Sequence, residues 1–349
     1  MREASRMSIQ WKVLGQPGAD NALFLTVDTG QAVDHLLFDC GEGCLNSLKP
    51  AQIQSISHLG FSHFHMDHVC GFDTFFRHNY NRPDLPVHVW GPPGTIEILS
   101  HRFRSFSWNL HEGQPGEWIV RESDGTSLES ARFLTHEAFA QGHTLPSVPL
   151  QSATWLSTPR FSMEARLLPH HNISSVAYRI IEAERRNISP EALQHSRHAP
   201  GPWLQALTDD SRADEERIEM GESERTLGEL RAEFVRTTPG STLAYLTDFR
   251  AEPGTPEWDS ICQWLEGTGV LVCECQYRQE ENSLAAQNGH MTAAAVGQLA
   301  RDAGVKELVL QHLSRRYSAE EWGSMLAEAR ESFPAADFPP EWRDSIPQS

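Results

Sequence analysis

The sequence predicts a layered α/β protein in which strands alternate with helices. Three observations predict it. Short apolar runs rich in β-branched or aromatic residues recur, and they end in polar side chains able to chelate. Longer stretches of helical pattern lie between them. Four chelating side chains, His63, His65, Asp67 and His68, crowd into six residues directly after one such run. In chain order, strand candidates fall at residues 9–14 and 22–27. Leu36-Leu37-Phe38 then runs into Asp39, and His58-Leu59-Gly60-Phe61 into Ser62-His63. Further candidates lie at 87–90, 165–168 and 175–181. Leu243-Ala244-Tyr245-Leu246 leads to Thr247-Asp248, and Leu308-Val309-Leu310 to Gln311-His312. Each run reads as a buried strand that delivers a polar side chain at its end. Helices are expected at 292–303 and 318–332.

Residues 182–240 break this rhythm. They are polar, contain Pro190, Pro200 and Pro202, and lie between two strand candidates. We read them as an arm or cap of short helices inserted into a single domain spanning 1–349. No internal repeat or low-complexity tract is present.

The chain carries 29 basic and 47 acidic residues, a net charge of −18, which argues against a broad electrostatic grip on nucleic acid. Its 39% hydrophobic content supports a true core. The six cysteines form no C-x-x-C pair and no disulfide framework, so free thiols in a reducing compartment are expected. The first 20 residues lack the apolar stretch of a signal peptide, and no apolar run is long enough to span a bilayer. These features point to the cytoplasm, with no membrane association.

The strongest local signal is Ser62-His63-Phe64-His65-Met66-Asp67-His68, an H-x-H-x-D-H pattern. Imidazole and carboxylate donors suit zinc and related divalent ions. On a loop after a strand, His63 and His65 can face one ion, and Asp67 and His68 a neighbouring one. The alternative is a surface cluster, since the chain has 17 histidines. The ordered pattern, with an apolar strand before it and Gly71 after it, argues against that reading.

At this motif the chain resembles the metallo-β-lactamase superfamily, which implies an αββα sandwich of two mixed sheets flanked by helices. It also implies two divalent metal ions, zinc with manganese or iron as alternatives. The resemblance assigns the remaining site residues. Asp39, in Phe38-Asp39-Cys40-Gly41-Glu42-Gly43, would support the metal loop from behind, Asp248 would bridge the ions, and His312 would be the last ligand. Within the superfamily, residues 36–317 are most similar to ribonuclease Z, the tRNA 3′-processing endonucleases. The similarity rests on Val89-Trp90-Gly91-Pro92-Pro93-Gly94, Pro200-Gly201-Pro202-Trp203, Gly289-His290-Met291-Thr292 and His312-Leu313-Ser314-Arg315-Arg316-Tyr317. That family's third ligand histidine precedes a tyrosine by seven residues. Counting back from Tyr178 therefore selects His171 over His170.

The resemblance implies a phosphodiesterase, acting on a precursor tRNA trailer, that uses a water shared by the two ions. His63, His65 and His171 would hold the first ion, and Asp67, His68 and His312 the second. Asp67 would also serve as general base, while Glu274 would hold His290 toward the leaving oxygen. The alternative for His290 is a cap on the helix that follows. A homodimer is a further family expectation. Three segments depart from the family pattern. Cys273-Glu274-Cys275-Gln276 stands where His-Glu-Ala-Thr is usual and keeps only the glutamate. Phe72-Asp73-Thr74-Phe75-Phe76 replaces Leu-Pro-Gly-Leu-Leu. The 182–240 arm carries 13 acidic and 8 basic residues, where a phosphate-gripping arm should be basic. These departures keep open a second reading, a hydrolase of the same fold acting on a small ester such as a cyclic nucleotide or an aryl sulfate. A third, a metal-binding scaffold without activity, fits the complete ligand set poorly. Cys273, Cys275, Trp108 and Trp203 read as packing residues.

Overall fold

The computed structural model describes residues 9–30, 32–196, 198, 200–209, 212–220 and 223–346. The chain divides into two compact units, 182–240 and the remainder. In the larger unit a first sheet begins with β1 (Ile9–Leu14), β2 (Ala22–Asp28), β3 (Val33–Phe38), β4 (Ile56–Gly60) and β5 (Val87–Gly91). It continues through β6 (Glu117–Ser123), β7 (Ser127–Leu134), β8 (His143–Thr144) and β9 (Val148–Pro149). Strands β1 to β8 pair in chain order, with β9 also on β7. The β3–β6 segment is parallel and the flanks are antiparallel. Helices α1 (Pro50–Ser55), α2 (Met66–Val69), α3 (Phe72–Asn79) and α4 (Thr95–Phe103) lie among these strands.

The second sheet starts with β10 (Thr154–Ser157), β11 (Phe161–His170) and β12 (Ile173–Glu182). There the smaller unit interrupts it. This unit holds β13 (Arg185–Ile188), α5 (Pro190–His195), α6 (Trp203–Leu207), β14 (Arg217–Met220), β15 (Ser223–Thr226), α7 (Leu227–Phe234) and β16 (Val235–Thr238). The sheet then resumes with β17 (Thr242–Leu246), β18 (Val270–Glu274), β19 (Glu307–Gln311) and β20 (Ala336–Asp337), which are parallel to one another. The last helices are α8 (Pro256–Leu265), α9 (Asn282–Gln287), α10 (Ala293–Ala303) and α11 (Ala319–Ser332).

Alternation along the strands builds the layers. In β3, Leu36 and Phe38 join the core that also contains Met163, Val176, Tyr178, Tyr245 and Val272 of the second sheet. Leu37, between them, joins Phe72, Phe75, Leu99 and Phe103 of the helices on the opposite face. The result is two mixed sheets face to face with helices outside. Strand β18 is buried at every position, as a parallel strand covered on both faces must be. Among the described residues no helix is long and apolar enough to cross a membrane, and all six cysteines are free.

The smaller unit has its own core. Trp203, Leu207, Leu227, Leu230 and Phe234 are buried together, so Trp203 packs. Its cap signals are strong: Thr226 and Glu229 form a capping box at the start of α7.

Candidate metal centre

The parallel strands of both sheets end on one line of chelating residues. Asp39 follows β3, His63 lies three residues beyond β4, Asp248 two beyond β17, and His312 directly after β19; Glu274 closes β18. Asp39, Asp248 and His312 have positive φ, 58°, 48° and 56°. Such backbone costs about 1–3 kcal/mol per residue outside glycine and concentrates at functional sites. Here it turns the chain sharply off the strand while the side chain stays over the sheet end. The metal loop is seated by backbone bonds, Cys40 N to His68 O and Gly71 N to Cys40 O, both 2.8 Å. A Cβ on Gly71 would stand 2.2 Å from Gly41 O, so only glycine lets the two loops approach this closely.

The structure brings together His63, His65, Asp67, His68, Asp248 and His312, all expected from sequence. One expected member is replaced. His171 is exposed, at the first position of the two-residue turn joining β11 to β12, with φ 53°. His170, the last residue of β11, is buried and takes its place. Counting from Tyr178 assumed one spacing for this hairpin. The turn begins one residue earlier than that count implies, and the strand-terminal imidazole is the one turned inward.

Two separate groups of donors, each within 4.8 Å, result: His63, His65, His170 and Asp248; and Asp67, His68 and His312; a third set, Asp248, His290 and His312, overlaps both. Asp248 stands between the first two. Its Oδ2 lies 3.6 Å from His63 Nε2 and 3.8 Å from His170 Nε2. Its Oδ1 lies 3.3 Å from His68 Nε2 and 3.5 Å from His312 Nε2. One carboxylate oxygen thus serves each group. Asp67 Oδ2 completes the second, 3.5 Å from His68 Nε2 and 3.4 Å from His312 Nε2.

The donor set fits cations on its own chemistry. The Nε2 atoms of His63 and His68 are buried with no hydrogen-bond partner. A buried polar atom without a partner costs about 1–3 kcal/mol, and a cation placed between the inward nitrogens and Asp248 would satisfy both. Burial, with His68 beside it, pushes His63 down to about 2, so it is neutral and ready to ligate. Burial opposes charge on Asp67, but the bond from His312 prevails and holds its carboxyl well below the usual range. Burial likewise opposes charge on His68, and Asp248 and Asp39 on its two sides raise it all the same.

The histidines are held from behind through Nδ1, which fixes which nitrogen faces inward. His68 Nδ1 bonds Asp39 at 2.8 Å, and Asp39 also accepts from Ser62 N (2.7 Å) and Tyr245 OH (2.9 Å). His63 Nδ1 lies 3.0 Å from Ser62 Oγ. His170 Nδ1 donates to Gly289 O at 3.1 Å. At Gly289 (φ 68°) any other residue would be strained, and its Cβ would crowd the imidazole at 3.1 Å from His170 Nδ1. His290 Nδ1 donates to Glu274 at 3.0 Å. Glu274 is itself fixed by Phe249 N at 2.8 Å. Burial opposes charge on His290, but Glu274 prevails and pushes it up to about 9. The helix cap proposed as an alternative role for His290 belongs to Thr292, whose side chain accepts from Ala295 N. Sequence reasoning missed His170, the anchoring role of Tyr245 and the Gly289 carbonyl. Tyr245 lies on the strand that delivers Asp248, a signal that was available.

A cleft of about 690 Å³ opens over the second group, lined by Gly18, Asp20, Glu42, Asp67, Gln276, His312 and Arg315 among others.

Comparisons with known proteins agree with this geometry. Residues 34–160 match the model of the beta-lactamase superfamily domain. Ribonuclease Z of Deinococcus radiodurans is 40% identical over 330 residues, 95% of this chain and 97% of that protein. Ribonuclease Z of Brevibacillus brevis is 28% identical, covering 88% and 86%. Among solved structures, the Bacillus subtilis metallo-beta-lactamase fold protein YhfI superposes with TM-score 0.54 at 16% identity, covering 95% of each chain. The short form of human tRNase Z gives 0.50 at 15% identity, covering 88% and 93%. A chain that shares this fold, this set of divalent-metal donors and this degree of identity over nearly its whole length belongs to the ribonuclease Z family of metal-dependent hydrolases.

Proposed function

We propose that this chain is a dinuclear phosphodiesterase that removes the 3′ trailer of precursor tRNA. The observation that carries the reading is the pair of adjoining donor groups sharing Asp248, with buried imidazole nitrogens aimed between them. His63, His65, His170 and Asp248 Oδ2 would hold one ion. Asp67, His68, His312 and Asp248 Oδ1 would hold the other. Two divalent ions there, zinc with manganese or iron as alternatives, supply Lewis acidity toward a phosphate oxygen and favour ionisation of the attacking water. Asp67, with a half-exposed carboxylate facing the cleft, accepts the proton of that water. His290, kept protonated by Glu274, delivers a proton from Nε2 to the leaving oxygen.

Where the RNA is gripped follows from the charges. In the smaller unit Arg212, Arg217, Arg225, Arg231 and Arg236 each pair with a carboxylate of the same unit. Guanidinium groups so neutralised release few counterions on meeting phosphate. Arg315, by contrast, is exposed, lines the cleft and has no carboxylate partner among the described residues. The reading therefore places the phosphate grip at the cleft and includes a homodimer in the cytoplasm.

The test is to offer the zinc- or manganese-loaded protein a precursor tRNA and, in parallel, bis(p-nitrophenyl) phosphate. Cleavage at the tRNA 3′ side supports the proposal. Cleavage of the aryl diester alone would replace it with the small-ester reading, which the paired arginines of the arm favour. Asp67→Ala should abolish turnover of both substrates, and light scattering of the loaded protein tests the dimer.

A further inference from the structure

The histidines of the centre share a design: His63, His68, His170, His290 and His312 each present Nε2 inward and are tied through Nδ1. The tie of His312 is made by a residue at which this chain departs from its family. Gln276 stands where the family has the threonine of its His-Glu-Ala-Thr segment, and its side-chain Nε2 lies 3.0 Å from His312 Nδ1. No other hydrogen bond reaches that nitrogen among the described residues. We propose that Gln276 is a positioning residue that sets the tautomer and ring plane of His312, and so the affinity of the second ion. This inference rests on the metal reading above.

Proton placement on His312 decides what its partner must supply. His312 Nε2 faces Asp67 Oδ2 (3.4 Å) and Asp248 Oδ1 (3.5 Å). To ligate there, Nε2 must offer a lone pair, so in neutral imidazole the proton sits on Nδ1 and needs an acceptor. A primary amide can meet both states. It offers NH₂ or C=O to the same spot by a half-turn of its last torsion, because the two atoms have nearly the same shape. With ions bound, that half-turn would bring Gln276 Oε1, in place of the Nε2 now beside the ring, to accept from Nδ1–H. The neighbouring segment is suited to hold it, since Cys275 N bonds Gln311 O at 3.0 Å and ties the Gln276 stretch to the strand end that carries His312. Gln276 also lines the cleft, so a shorter side chain at that position would leave His312 Nδ1 open to solvent.

Zinc affinity, measured by competition with a chromophoric chelator, gives a readout independent of turnover. Wild-type protein should show two ions. Gln276→Leu, similar in size but without an acceptor, should weaken one of them about 10- to 100-fold and leave the other unchanged, in line with the usual effect of removing a ligand's hydrogen-bond partner. Gln276→Ser, too short to reach Nδ1, should lose the same ion, which guards against misfolding of the leucine variant. Gln276→Glu, which keeps an acceptor at the same reach, should restore wild-type affinity. Two tight ions in both Gln276→Leu and Gln276→Ser would overturn the inference, as would a glutamate variant no better than leucine. Failure of wild-type protein to take up zinc would overturn the metal reading itself, a separate and recognisable result.

Discussion

An imidazole holds an ion well through one ring nitrogen when the other is tied down, and His170 meets that condition. Its Nδ1 is on the Gly289 carbonyl, and its Nε2 faces Asp248. His171, one residue on, is exposed in a left-handed turn. His170→Ala should therefore lose one bound ion and lower kcat/KM for the aryl diester by at least about 100-fold, equivalent to about 2.7 kcal/mol. His171→Ala should keep both ions and stay within about twofold of wild type. Metal content by mass spectrometry and steady-state kinetics decide it, and the reverse pattern would restore His171. The comparison also shows what a sequence can reveal of such a site. His63, His65, Asp67 and His68 were legible because they are local, and one loop carries four donors in a fixed order. Asp248 and His312 lie at the ends of apolar strands, but it was the family's order of ligands that picked them out. Choosing between two adjacent histidines needs the turn geometry, and residue counting does not contain it.

At the scale of elements, the parallel pair β4–β5 holds a feature with a pH consequence. His58 and His88 are in register and stack at 4.9 Å. Burial, then Arg121, lowers His58 to about 4, and burial, then His58, lowers His88 to about 3. Both values lie below the unfolded 6.5, so between them the unfolded chain binds more protons and stability rises with pH. Stability should thus be complete above about pH 6.5 and decline as pH falls toward 4. His88→Asn, which keeps an acceptor for Arg121, should flatten this decline by about 1.4 kcal/mol per pH unit, read from urea melts at pH 7, 6 and 5. The smaller unit offers a second test. Phe234 is buried in its core, and Phe234→Ala should cost about 3–5 kcal/mol locally. Hydrogen exchange should then quicken within 182–240 while β17–β19 stay protected. Loss of protection across the whole chain would show that the unit does not open independently. The edges of this unit were legible from its polarity and prolines. Its hairpin β14–β15 was not, because Arg217–Met220 offers only two apolar residues and Ser223–Thr226 none, too little to mark a strand against a core. Strands β6 and β7 escaped for a related reason, as Arg121, Glu122 and Glu129 interrupt their apolar pattern.

For the molecule as a whole, charge and substrate pull in opposite directions, and salt can separate them. A chain of net charge −18 repels RNA at long range, and added salt screens that repulsion. Contacts between guanidinium groups and phosphate act in the other sense, since each displaces counterions and gives a slope of about −0.7 in log affinity against log salt on a single strand. With five arginines of the smaller unit already paired, Arg315 at the cleft dominates the attractive side. The slope of log kcat/KM for precursor tRNA against log potassium chloride should therefore be shallow, between about 0 and −1. Arg315→Gln should bring it toward zero or above and raise KM for RNA more than for the aryl diester. Glu224→Gln, which releases Arg217, should steepen it. A wild-type slope of about −4 or steeper would mean that several phosphates are neutralised at once. Grip at the cleft alone would then be wrong, and the arm would have to exchange its internal ion pairs for contacts with RNA.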